Sequence, residues 1–174
     1  MSAPDMTSYR LLHQGLREDA TRLHAALRAF RADDDADARS VVSSWYAFAG
    51  ELRAHHETEE AIVFPQLVEL VPIVVPHIEC IQRDHRRLEE LTNESSSVMA
   101  ALRHSASAAD AATAADLVGA LSELLEHVLD LEDEDVLPLL GRHMSRAEYA
   151  AMELAATNYA RCHGGRAIGS HVEL

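Results

Sequence analysis

The sequence predicts an all-α protein: an up-down antiparallel four-helix bundle with an additional short C-terminal helix. Three observations carry this expectation. Alanine and leucine abound while aromatics make up only 5% of the chain, a balance that favours helix over sheet. Apolar residues recur at steps of three and four along four long stretches, which is the spacing of one helix face. Glycine and proline are sparse inside those stretches. At 174 residues the chain fits one domain with a substantial core. The single bundle is expected to fill residues 1–174, with its core at about 7–142, the extra helix at about 145–161 and a mobile tail from His163.

The first helix is expected from Thr7 to Phe30, on the stripe Tyr9, Leu12, Leu16, Ala20, Leu23, Leu27 and Phe30. The tract Asp33-Asp34-Asp35-Ala36-Asp37 reads as a loop and N-cap region. A second helix follows from about Asp37 to Leu70, with Val41, Trp45, Phe48, Leu52 and Ile62 inward, and Pro65 should kink it. Pro72 and Pro76 bracket a turn, and Pro76 suits the first turn of a third helix reaching His104. Ser105 to Thr113 reads as a low-complexity connection. The fourth helix is expected from Ala114 to Leu140 on Leu117, Leu121, Leu124, Val128 and Leu131, with Gly141 as C-cap. Ser145-Arg146-Ala147-Glu148 is a capping-box pattern that opens the short fifth helix.

Composition excludes several function classes. The formal charge of −14 opposes binding to nucleic acid, which needs a basic surface, and opposes docking on anionic membranes. The N-terminal MSAPDMTSYR lacks a basic flank followed by an apolar run, so no signal peptide is expected, and no apolar stretch is long enough to span a bilayer. Cys80 and Cys162 lie far apart and suit reduced thiols in a cytoplasmic protein.

The eleven histidines decide the functional reading. His13 lies between Leu12 and Leu16 on the first stripe, and His24 adjoins Leu23. In the second helix the stripe continues Trp45, Phe48, Leu52, His55, Glu59, Ile62, so an imidazole and a carboxylate take core positions one turn apart. In the third, Ile78, Ile81, His85 and Leu88 follow the same steps. In the fourth, His127 falls between Leu124 and Leu131, with Glu132 one turn beyond Val128. His13 to His55 spans 42 residues, as does His85 to His127, which suggests two helix pairs related by a pseudo-twofold. Burying such groups costs several kcal/mol unless they are paired or bound to a cation. Imidazole with carboxylate is the ligand set of iron, manganese or zinc. His13, His55, Glu59, His85, His127 and Glu132 are the candidate ligands, with His24, His56, Glu60, Glu89 and Asp130 as alternatives or additions.

These motifs resemble the hemerythrin family, including the bacterial HHE cation-binding domains. The residues that carry the resemblance are His13, His55-His56-Glu57-Thr58-Glu59 with Val63-Phe64-Pro65, Asp84-His85-Arg86-Arg87-Leu88, and His127-Val128-Leu129-Asp130-Leu131-Glu132. The third motif departs from the family's His-x3-His, since Ile81 and Glu89 flank His85 at four residues. The fourth has Glu132 in place of the family's Asp, and since His127 and Glu132 point about 140° apart on an ideal helix, Glu132 is expected to need distortion near Pro138 or a bridging reach. The resemblance covers residues 9–150 and implies a four-helix bundle holding two iron ions, oxo- and carboxylate-bridged, that bind O2, hydrogen peroxide or nitric oxide. Carrier, sensor, and peroxide-disproportionating (catalase-like) or peroxidase-like enzyme all stay open. So do an iron-sensing, storage or donation protein with a labile site, and a metal-free helical adaptor. The sequence does not address oligomeric state.

Overall fold

The computed structural model describes residues 4–162, which are helical with no strand among them. The expected mobile tail lies outside the described residues. Helix α1 spans Thr7–Arg28 and α2 spans Asp35–Thr58. α2 then widens into a π-turn over Glu59–Val63 and resumes as α3, Phe64–Leu70. A 3-10 turn at Pro72–Val74 leads into α4, Val75–Ser105. Helix α5 covers Ala108–Leu131, widens into a second π-turn over Glu132–Val136, and continues as α6, Leu137–His143. Helix α7, Arg146–Cys162, completes the described chain.

The four long helices form a bundle in which α1 and α4 each pack against both α2 and α5. Tyr9, Leu16, Leu23 and Leu27 of α1, Trp45, Phe48 and Leu52 of α2, Ile81, Leu88 and Met99 of α4 and Val118, Leu121 and Leu125 of α5 are buried together. Trp45 is fully buried and its indole N–H donates to Ser96 Oγ at 3.0 Å, which satisfies the ring's one donor. Helix α7 packs against α2 and the first π-turn. None of the described helices is long and apolar enough to cross a membrane.

The prolines explain the π-turns. Pro65 and Pro138 have no N–H to donate, and their rings crowd the carbonyl four residues earlier. Those carbonyls, of Ala61 and Glu134, lie inside the widened turns, where the looser winding makes room. The expected kink at Pro65 is therefore a π-turn just before it.

Two boundaries differ from the sequence reading. Helix α5 starts at Ala108, so the connection from α4 is only Ala106 and Ser107. The alanine-rich run from 108 to 115 is good helix-forming sequence, and Ser107 caps it by accepting from the Asp110 amide at 3.1 Å. Gly141 is not a C-cap but sits inside α6. The capping box at α7 is present: Glu148 accepts from the Ser145 amide at 2.7 Å, and Ser145 Oγ accepts from the Glu148 amide at 3.3 Å.

The interhelical turns match in both halves. Asp33 and Ala106 take positive φ, 64° and 44°, and the Asp33 amide donates to the Ala106 carbonyl at 2.9 Å. Asp34 then caps α2, accepting from the Ala36 and Asp37 amides at 3.1 and 2.9 Å. Asp34→Ala is expected to cost about 1 kcal/mol, read as a melting temperature lower by roughly 2–4 °C.

Candidate metal centre

The two π-turns put Glu59 and Glu132 at the centre of the bundle, and both are fully buried. His13 from α1 and His55 from α2 arrive beside them, buried at 0% and 5% exposure. One ligand atom from each of His13, His55, Glu59 and Glu132 lies within 4.8 Å of all the others. His13 Nε2 is 3.5 Å from Glu132 Oε2, and His55 Nε2 is 3.5 Å from Glu59 Oε1 and 4.0 Å from Glu132 Oε2. His85 from α4 approaches from the other side, its Nε2 3.1 Å from Glu132 Oε1 and 3.7 Å from Glu59 Oε2. Each carboxylate thus turns one oxygen toward the His13–His55 pair and the other toward His85.

Five of the six expected site residues are brought together in this way. His127 is not: it is exposed on α5. The buried stripe of α5 runs Val118, Leu121, Leu125, Val128 and Glu132, which leaves His127 about 100° off the inward direction. Glu132 falls on this inward stripe, and the distortion expected near Pro138 is the π-turn that begins at Glu132. Among the alternatives, His24 is half-buried and contacts Arg28 at 3.4 Å, Asp130 is exposed and pairs with Arg17 at 2.8 Å, and Glu89 is exposed.

Further side chains hold the candidate ligands from outside. Asp133 accepts from His13 Nδ1 at 2.9 Å and from Arg17 at 3.1 Å, and nothing in the sequence marks it for this role. Arg17 also pairs with Asp130 and, at 3.3 Å, with Glu126. Glu60 reaches His85 Nδ1 at 3.3 Å. These contacts orient both rings with Nε2 inward. The Tyr9 hydroxyl, fully buried, donates to Glu59 Oε1. The His56 ring stacks on that of His85 with centroids 3.9 Å apart, and Phe64 lies against His85 at 5.9 Å. A cleft of about 120 Å³ between α2 and α4 opens onto His56 and His85, with Arg53 and Arg86 on its walls.

The charges are held at a cost. Burial pushes the Glu59 carboxyl well up, and facing Glu132 adds to the effect. Burial, with neighbouring imidazoles, pushes His55 and His56 well down. Burial also opposes charge on His85, but hydrogen bonds to Glu132 and Glu60 outweigh it and raise its pKa to about 10. Burial drives the Tyr9 hydroxyl up, so it stays a donor to Glu59. Burial opposes the charge on Asp133, yet its contacts with His13 and Arg17 hold its carboxyl below the usual range.

The donor set fits a metal. His13 Nε2, His55 Nε2, Glu59 Oε2 and Glu132 Oε2 are all buried and without a hydrogen-bond partner. Buried polar atoms of this kind normally find partners, and here four face one centre. Imidazole nitrogens and carboxylate oxygens on facing helices of a bundle suit a transition-metal ion or a pair of them. A family model described as the Hemerythrin HHE cation binding domain matches residues 8–153. Comparisons with curated proteins and with solved structures return no significant match.

Proposed function

Since the chain belongs to the hemerythrin HHE cation-binding family, we propose that it is a non-haem di-iron protein that binds or reacts with O2, hydrogen peroxide or nitric oxide. The observation that carries this reading is the double-sided arrangement of Glu59 and Glu132. Each turns one oxygen toward His13 and His55 and the other toward His85, as carboxylates shared between two ions require. His13, His55 and His85 would supply nitrogen ligands to the metal, and Glu59 and Glu132 would supply carboxylate oxygens. The metal pair, when bound, supplies coordination and electron transfer to the small ligand.

The rest is done by the chain. Asp133 and Glu60 hold the outer ring nitrogens of His13 and His85, and this makes the imidazoles better ligands. Tyr9 holds one oxygen of Glu59 in place. Phe64 against His85 and Leu52 at the cleft keep the approach partly apolar, which limits water at the site. Iron sensing or donation would need ligands that release readily. The burial of His13, Glu59 and Glu132 at 0% exposure favours a retained centre over a labile one, and the orphaned atoms argue against a metal-free adaptor.

The test is elemental analysis of protein purified in air, with its visible spectrum. Two irons per chain with charge-transfer absorption are expected, and a chain that takes up no metal defeats the reading. O2 release on adding peroxide then separates enzyme from carrier. His127→Ala is expected to keep full metal content and the same spectrum, because His127 is exposed on α5; loss of metal would return it to the ligand set.

A further inference from the structure

We propose that the end of the bundle around Ile73 is a docking face for a second copy of this chain, each copy's Ile73 entering the other's hollow between the Pro72–Val74 turn and α6. This lies outside the metal-centre reading and does not depend on it.

Ile73 is 88% exposed, the highest value among the exposed large apolar side chains of the described residues, and Leu70, three residues earlier, is 39% exposed. The segment that carries Ile73 is firmly held. The Val71 amide donates to the Leu67 carbonyl at 2.8 Å, and the Val74 amide donates to the Val71 carbonyl at 3.0 Å. Val74 is buried, and the rings of Pro72 and Pro76 fix the backbone on either side. Ile73 is therefore presented as a rigid knob, with little backbone freedom to lose on association.

Beside the knob lies a hollow of about 370 Å³. Its apolar lining is Val71, Val74, Pro138 and Leu139, all buried or half-buried, and its exposed charges include Glu134 from the second π-turn and Arg142 from α6. Ile73 itself borders the hollow, so knob and hollow share one face. A twofold axis through such a face seats both knobs at once, because every contact is then made twice.

The charges select the occupant. Asp135 is engaged within the chain, 3.4 Å from His77 Nε2. Glu134 and Arg142 make no ion pair with another described residue. One spare acid and one spare guanidinium on the same hollow satisfy each other across a twofold, Arg142 of each copy meeting Glu134 of the other. An anionic membrane or nucleic acid would need an excess of positive charge, whereas this hollow offers both signs on a chain of charge −14. A face built on one knob and one hollow belongs at the small end of the interface range, so a dissociation constant on the order of 10 μM is expected.

The test is sedimentation velocity of the full-length chain as purified, at concentrations from about tenfold below to tenfold above that constant. A shift from one chain to two is expected as concentration rises. Ile73→Asp should hold the chain single throughout with unchanged circular dichroism, since so exposed a side chain has little packing to lose. Arg142→Glu and Glu134→Arg should each weaken association by about tenfold or more, because each sets like charges against one another. An equimolar mixture of those two variants should regain it, as should the double variant, since both restore two opposite-charge pairs between the copies. A parent that stays single leaves the hollow to another occupant and overturns the proposal. So does a dimer that survives Ile73→Asp, and so does a mixture of the two charge variants that associates no better than either alone. Metal content does not enter any of these outcomes, so a failure here leaves the metal-centre reading standing.

Discussion

Glu132→Gln is expected to abolish binding of both metal ions while leaving the metal-free bundle folded, with a melting temperature within a few degrees of the parent's. Glu132 supplies an oxygen to each side of the centre, one 3.5 Å from His13 Nε2 and the other 3.1 Å from His85 Nε2. Glutamine preserves its volume but is a far poorer metal ligand than a carboxylate. In the metal-free chain Glu132 faces Glu59 in a fully buried site, and its charge adds to the burial that pushes the Glu59 carboxyl up. Its removal leaves Glu59 beside His85 at 3.7 Å, with less repulsion to offset. The variant thus separates metal binding from folding. Metal analysis and thermal melts of the same preparation check it, and retention of either ion would show that Glu132 is not shared.

Metal loading is expected to raise the melting temperature by roughly 10 °C, and chelation to reverse it. A ligand that binds only the folded state stabilises it by about 4 kcal/mol when its free concentration is about a thousandfold above Kd. For a chain of 174 residues each kcal/mol moves the melting temperature by roughly 2–4 °C. The direction follows from the site: the four orphaned atoms of His13, His55, Glu59 and Glu132 carry a burial cost in the metal-free chain that coordination removes. Paired thermal scans with and without metal measure it, and an unchanged transition would mean that no buried site is filled.

Much of this centre is legible in the sequence. In α2 the steps Trp45, Phe48, Leu52, His55, Glu59 admit one inward face, because no other leucine, isoleucine, valine, phenylalanine or tryptophan falls between Trp45 and Glu59. In α5 leucines occur on both candidate stripes. Leu117, Leu121, Leu124, Val128 and Leu131 form one, and Val118, Leu121, Leu125, Val128 and Glu132 the other. Periodicity alone cannot choose between faces so evenly apolar, which is how His127 came to be expected inside. Matching the halves at 42 residues reinforced the error, since the inward positions of α2 and α5 correspond at an offset of seventy-three, as in Leu52 and Leu125 or Glu59 and Glu132, which pairs His55 with Val128 and not with His127. Asp133 was illegible for a different reason: its contacts with His13 and Arg17 join residues more than a hundred positions apart, and nothing local sets it apart from Glu134 and Asp135.

The widened turns carry a consequence for insertions and deletions. A π-turn holds one residue more than regular winding needs, so it shifts the phase of everything downstream by about 100°. Deleting a single residue from 60–62 or from 133–135 would let either helix relax to ordinary α-winding. The segments beyond, Phe64–Leu70 and Leu137–His143, would then keep their seats and the glutamate its inward aim, but Pro65 or Pro138 would crowd the carbonyl four residues before it in a regular helix. A further inserted residue would instead turn those segments by about 100°, so these short stretches, with no conspicuous motif of their own, tolerate substitution far better than insertion.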